Sequence, residues 1–166
     1  MVESFKEIKV TNEGTLQITT SKNIEINIPP HLPLKLKRFG EKEYREVANF
    51  CDQRKRKHSP YTSRSHRKTV SAIKEGATDI YQSYFLIQAE DREKIHAFSE
   101  VNLDDAKADC IVVGPVGTIL FEAKPTGVVA QEQLDRGRAA FKKYFPKIPI
   151  LTIRAGYKGN KVFFNR

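Results

Sequence analysis

Through residues 5–28, apolar and polar positions alternate with a period of two: Ile8 and Val10, then Leu16 and Ile18, then Ile24, Ile26 and Ile28. That period belongs to strands with one buried face. Asn12-Glu13-Gly14 and Ser21-Lys22-Asn23 interrupt it with turn-forming residues, so a small antiparallel meander is expected. Pro29, Pro30 and Pro33 end it and make a stiff connector. The pattern then lengthens. Tyr44, Val47, Ala48 and Cys51 recur at helical spacing behind Glu41 and Glu43, whose carboxylates suit a helix N-terminus. This predicts a helix over 41–53, broken at Ser59-Pro60.

A second helix is expected over 63–75, stopped by Gly76. Residues 79–88 hold Ile80, Tyr81, Tyr84, Phe85, Leu86 and Ile87, and this aromatic and β-branched content predicts a strand. Another strand is expected over 95–101, after a charged turn at 90–94. Two very apolar runs, 108–113 and 118–124, flank Gly114-Pro115-Val116-Gly117, which suits a tight hairpin. Val129, Leu134, Ala140, Phe141 and Tyr144 mark an amphipathic helix over 128–144, and strands at 148–155 and 161–164 close the pattern. Helix, three or four strands, helix, strand is an α/β order, with helices on a mixed central sheet and an N-terminal β meander beside it. The expected division is a β-rich appendage over 1–35 and a main domain over 36–166.

Composition narrows the class. With 39% hydrophobic and 30% charged residues in a chain of 166, a globular fold is expected. No apolar run reaches the length that crosses a bilayer, and Met1-Val2-Glu3-Ser4-Phe5-Lys6 lacks the apolar core of a signal peptide. A cytoplasmic protein without a membrane partner is therefore expected. Cys51 and Cys110 are too few for a four-cysteine zinc site or an iron–sulfur cluster within one chain, and both fall on apolar faces as small hydrophobes.

The net charge is +9, from 29 Lys and Arg against 20 Asp and Glu. The excess is concentrated: residues 53–74 contain no acid but carry Arg54, Lys55, Arg56, Lys57, Arg64, Arg67, Lys68 and Lys74. Such a block favours a polyanion, because neutralised phosphates release condensed counterions.

Against this basic background, three charges stand inside apolar runs. Asp109 opens the first, and Glu122 and Lys124, two apart, share a face of the second. A hairpin between them brings Asp109 beside that pair. Charges in a central strand are expensive unless paired or bound to metal. Hard Mg²⁺ or Mn²⁺ takes oxygen ligands, which Asp109, Glu122 and the carbonyl of Ala123 supply, leaving Lys124 to orient or activate a water.

Lys107-Ala108-Asp109-Cys110-Ile111-Val112-Val113 and Phe121-Glu122-Ala123-Lys124 resemble the core of the PD-(D/E)XK nuclease superfamily, within it the RecB-like group. Residues 69–82 resemble the helix-then-strand that leads into that core. Gln133, with Gln131 as the alternative, matches the Gln on the following helix that helps position the site. His66 matches an upstream histidine of the group, with a phosphate-facing or plain surface role equally open to it; His31, His58 and His96 lack metal-ligand spacing and are expected to be structural or incidental. Ala108 replaces the nominal Pro, and the iron–sulfur cysteines are missing. The resemblance spans about residues 62–145 and implies a restriction-endonuclease-like αβββαβ core. It implies a Mg²⁺- or Mn²⁺-dependent nuclease with Asp109, Glu122, Lys124 and Gln133 catalytic, and Asp109, Glu122 and Ala123 on the metal.

On this reading Arg54, Lys55, Arg56, Lys57, Arg64, His66, Arg67 and Lys68 track nucleic acid, with Arg136, Arg138, Lys142 and Lys143 on the helix after the site and Tyr61 placed to stack on a base. DNA is favoured over RNA. A tRNA-cleaving RNase of toxin type on the same fold, or a non-catalytic nucleic-acid-binding protein, are the alternatives. No Walker-type loop is present, so an ATPase motor would be a separate protein, and the open edges of the meander leave a homodimer in view.

Overall fold

The computed structural model describes residues 7–166; residues 5 and 6 of the expected meander and the Met1–Lys6 segment lie outside the described residues. The described residues form one mixed sheet of eight strands carrying helices. Three short strands come first, β1 (Glu7–Val10), β2 (Leu16–Thr19) and β3 (Glu25–Ile28), as an antiparallel meander. Helices α1 (Glu41–Arg54), α2 (Arg64–Glu75) and α3 (Ala77–Tyr84) follow, then a 3₁₀ turn (Ala89–Lys94). The strands β4 (His96–Asn102), β5 (Lys107–Gly114) and β6 (Gly117–Pro125) pair antiparallel in sequence. Helix α4 (Gln131–Tyr144) crosses to β7 (Ile150–Lys158), parallel to β6, and β8 (Lys161–Asn165) turns back along β7.

The sheet order is β1-β2-β3-β8-β7-β6-β5-β4, so the meander joins the rest through a parallel pairing of β3 with β8. The two faces bury separate cores, as expected when helices cover both sides of a sheet. On one, Val70 and Ile73 of α2 and Ile80 and Tyr81 of α3 meet Ile119 and Phe121 of β6, together with Ile18 and Ile26 of the meander. On the other, Val47 and Cys51 of α1 and Leu134 and Phe141 of α4 meet Ile111 and Leu120. Cys51 and Cys110 are free and buried.

Residues 79–88 depart from expectation. The strand predicted from their composition is a helix to Tyr84, because the buried positions Ala77, Ile80, Tyr81 and Tyr84 fall at i, i+3, i+4 and i+7. Spacing outweighs residue type here. Only the end of the segment is extended, where Phe85 bridges Leu34. The helix-then-strand likeness of residues 69–82 is accordingly a helix pair bent at Gly76, whose N–H closes α2 on the Ala72 carbonyl. Helix α4 also starts three residues later than expected. The Arg154 guanidinium donates to the carbonyls of Val128 (2.9 Å) and Pro125 (3.2 Å), holding that stretch as a loop.

At the β5–β6 turn, Gly114 pairs with Gly117 as a two-residue hairpin. The Tyr81 hydroxyl donates to the Gly117 carbonyl (3.0 Å) and accepts from the Val116 N–H (3.1 Å). A Cβ on Gly114 would stand 2.3 Å from the Tyr81 ring, so only glycine fits.

Candidate active site

At the opposite end of the same strands, three acids lie in a row. The β5–β6 ladder stops at Cys110 with Phe121, so the next step sets Asp109 opposite Glu122. The β4–β5 ladder pairs Ser99 with Cys110 and Val101 with Ala108, which leaves Glu100 opposite Asp109 on the other side. Glu100 has a left-handed backbone (φ 53°) inside a strand, a conformation that a residue with a Cβ rarely adopts. All three carboxylates are buried, with 2%, 4% and 6% of Glu100, Asp109 and Glu122 exposed.

Asp109 is fixed by the backbone, its Oδ2 accepting the Ala123 N–H at 2.8 Å. Its Oδ1 lies 3.5 Å from His66 Nε2. His66 reaches it from the first turn of α2, where its own N–H donates to the Ser63 cap. Lys124 Nζ stands 3.7 Å from Glu122 Oε1. Glu122 Oε2 is buried and has no hydrogen-bond partner among the described residues. Lys107 Nζ contacts Glu100 Oε2 at 2.6 Å. His66, Lys107, Asp109, Glu122 and Lys124 line one cleft of about 430 Å³, with Ala123 in its wall.

These contacts set the protonation of the site. Burial, then the negative charge of Asp109, pushes the Glu122 carboxyl up to about 8. The close approach of Asp109, then of Glu100, raises His66 to about 9. Burial alone would raise Glu100, but His66 and Lys107 outweigh it and hold this carboxyl down at about 2. The same contact raises Lys107. Glu122 is thus slow to ionise beside Asp109, and its buried Oε2, without a hydrogen-bond partner among the described residues, is left for a ligand.

The structure thus brings together Asp109, Glu122, Ala123, Lys124 and His66. Gln133 is half-buried in the first turn of α4 and is not in the cleft wall, and Gln131 donates to Asp135 at 2.8 Å on the same helix. The basic residues divide. Arg64, Arg67 and Lys68 line a second cavity of about 430 Å³ beside α2, with Lys22 and Lys74. Arg54 is occupied by Asp104 (2.9 Å) and by the ring faces of Phe50 and Tyr144. Lys55 pairs with Asp52, Arg136 with Glu132, and Lys143 with Asp105. Arg56, Lys57 and Arg138 are exposed, as is Tyr61 at 95%.

Sequence reasoning missed Glu100, Lys107 and His58. The alternation Lys107-Ala108-Asp109 carries a usable signal, since it puts two charges on one face of an apolar strand. Glu100 carries none, because its position follows from a left-handed backbone. Among the described residues, no helix is long and apolar enough to cross a membrane. Comparison with known proteins returns no family model, no curated protein and no solved structure that matches the chain.

Proposed function

We propose that this protein is a divalent-metal-dependent nuclease that hydrolyses phosphodiester bonds, with DNA as the favoured substrate. The observation that carries the reading is the facing pair Asp109 and Glu122, buried at one end of the cleft strands with Lys124 beside them. With α3 and the 3₁₀ turn set between α2 and β4, the order α2, β4, β5, β6, α4 and β7 also fits the restriction-endonuclease-like αβββαβ core. So does the likeness of the Asp109 and Glu122 strands to RecB-like nucleases.

The donor set fits a hard cation. Asp109, Glu122 and the Ala123 carbonyl offer only oxygen, and Glu122 Oε2 is buried without a partner among the described residues. When bound, Mg²⁺ or Mn²⁺ lowers the pKa of a water and offsets charge developing on phosphate oxygens. The chain's own groups do the rest. The Ala123 N–H fixes the orientation of the Asp109 carboxylate. Lys124, 31% exposed at its side chain, is free to orient a water at the cleft while remaining near Glu122. His66 and Lys107 bring positive charge to the cleft wall, where it favours a phosphate. Arg64, Arg67 and Lys68, one face of α2 away, extend that positive field for the strand on either side of the cleavage point.

The test is cleavage of linear and circular duplex DNA, single-stranded DNA and tRNA by the purified chain, with Mg²⁺, Mn²⁺ or EDTA. Metal-dependent cleavage of DNA that Asp109→Asn abolishes is the expected result. Cleavage of tRNA alone transfers the reading to an RNase. No cleavage of any substrate with either metal rejects it.

A further inference from the structure

One cluster lies outside the Asp109 and Glu122 pair. The loop after α1 is fastened to the edge of the sheet: Lys55 bridges Val101, and the Arg56 N–H donates to the Glu100 carbonyl at 2.9 Å. This brings His58 over Glu100, with Nδ1 3.0 Å from Oε1. His66 Nε2 reaches the same oxygen at 3.5 Å from α2. The three ligand atoms lie within 4.8 Å of one another.

We propose that His58, His66 and Glu100 form a binding site for a borderline transition-metal ion, Zn²⁺ by preference, distinct from the oxygen-only pair in the cleft. Three features argue for an ion rather than a simple ion pair. First, His58 Nδ1 and Glu100 Oε1 are both buried, and neither has a hydrogen-bond partner among the described residues despite their closeness. Two ligand atoms aimed at one point, rather than at each other, have this relation. Second, the 3.0 and 3.5 Å separations from Glu100 Oε1 are close to the roughly 3.3 Å between neighbouring ligands of a tetrahedral shell with bonds of about 2.0–2.1 Å. Third, Glu100 is pre-oriented. Lys107 holds Oε2 at 2.6 Å and leaves Oε1 for the ion, which is the usual outer-shell arrangement for a ligating carboxylate. The left-handed backbone at Glu100 is then retained for the carboxylate it positions.

Two imidazoles and a carboxylate select Zn²⁺ or Co²⁺ over Mg²⁺, because nitrogen donors suit borderline ions. Three protein donors leave a four-coordinate ion one place for a water or an anion's oxygen. His58 also lines the basic cavity with Arg64, Arg67 and Lys68, so a phosphate oxygen is the fitting occupant.

The experiment is Co²⁺ titration of the metal-free chain, read by visible d–d absorption and by competition with Zn²⁺ and Mg²⁺, with circular dichroism as the check on folding. Wild type should give the strong absorption of a four-coordinate ion, displaced by Zn²⁺ and not by Mg²⁺. His58→Ala, a loop change, should weaken Co²⁺ binding at least 100-fold, and Glu100→Gln should do the same. The double variant Asp109→Asn/Glu122→Gln should keep the absorption. If His58→Ala leaves Co²⁺ binding unchanged, if the double variant abolishes it, or if wild type takes up no Co²⁺, the proposal is overturned. The readout is independent of cleavage, so a negative nuclease panel leaves it standing.

Discussion

Strands β5 and β6 end in two opposite ways. At the hairpin, the buried Tyr81 hydroxyl both donates and accepts, and Gly114 leaves room only for the ring that packs on it. Polar groups there are neutral and matched, as folding alone would require. At the cleft, one strand length away, Glu100, Asp109 and Glu122 are buried as a row of acids, and two of their oxygens lack hydrogen-bond partners among the described residues. One end is arranged for stability. The other departs from the same rules, and departures of this kind concentrate where ligands bind.

Substitutions at the two ends should therefore separate activity from stability. The largest effect is expected at the cleft: Asp109→Asn should lower metal-dependent cleavage by about 1,000-fold or more, as for loss of an essential charged group, with a melting temperature close to wild type. Single-turnover cleavage beside thermal melting checks it, and an equal loss of both would erase the contrast. Gly114→Val should do the reverse. Its side chain displaces the Tyr81 ring and should destabilise by about 2–4 kcal/mol in urea unfolding, with cleavage per folded molecule retained. Tyr81→Phe, which leaves the Val116 N–H and Gly117 carbonyl without the hydroxyl, should cost about 1–3 kcal/mol.

The pH dependence of the metal-free chain sharpens the contrast further. Glu122 titrates higher in the folded chain than the ordinary glutamate value of 4.5, so its contribution is full below that value and is lost as pH rises toward about 8. His66 acts in the same direction, its contribution fading between the ordinary 6.5 and about 9. Melting temperature should thus fall as pH rises from 5 to 9, and Glu122→Gln should flatten the lower part of that decline. Added Mg²⁺ should restore stability at pH 8 in wild type and much less in the variant. The smallest expected effect lies outside both ends: Lys68→Ala should reduce the slope of DNA affinity against salt by about one phosphate contact without changing the cleavage step.

Much of the frame was legible because it rests on local rules. The apolar positions of α1, the start of α2 near residue 63, the Gly76 stop and the hairpin between Asp109 and Glu122 each follow from a few neighbouring residues. Residues 79–88 show how that reading fails, since aromatic content suggested a strand while the spacing of Ile80, Tyr81 and Tyr84 specified a helix. Asp109, Glu122 and Lys124 were legible as charges inside apolar runs. Glu100 and His58 were not, because they meet across 42 positions through a backbone conformation that residue types do not announce. The parallel pairing of β3 with β8 was equally hidden, being set by packing between distant segments.

That pairing has a consequence for how the molecule assembles. Asn27 of β3 donates to the Val162 carbonyl, a partner 135 positions further along the chain. Strands made first must therefore wait for one made much later before their inner edge is covered. Contacts this distant slow folding, since a long loop closes before any of them forms. Until β8 arrives, the inner edge of β3 stays open to any extended chain nearby, which makes the hydrogen bonds of β8 the step that seals the sheet.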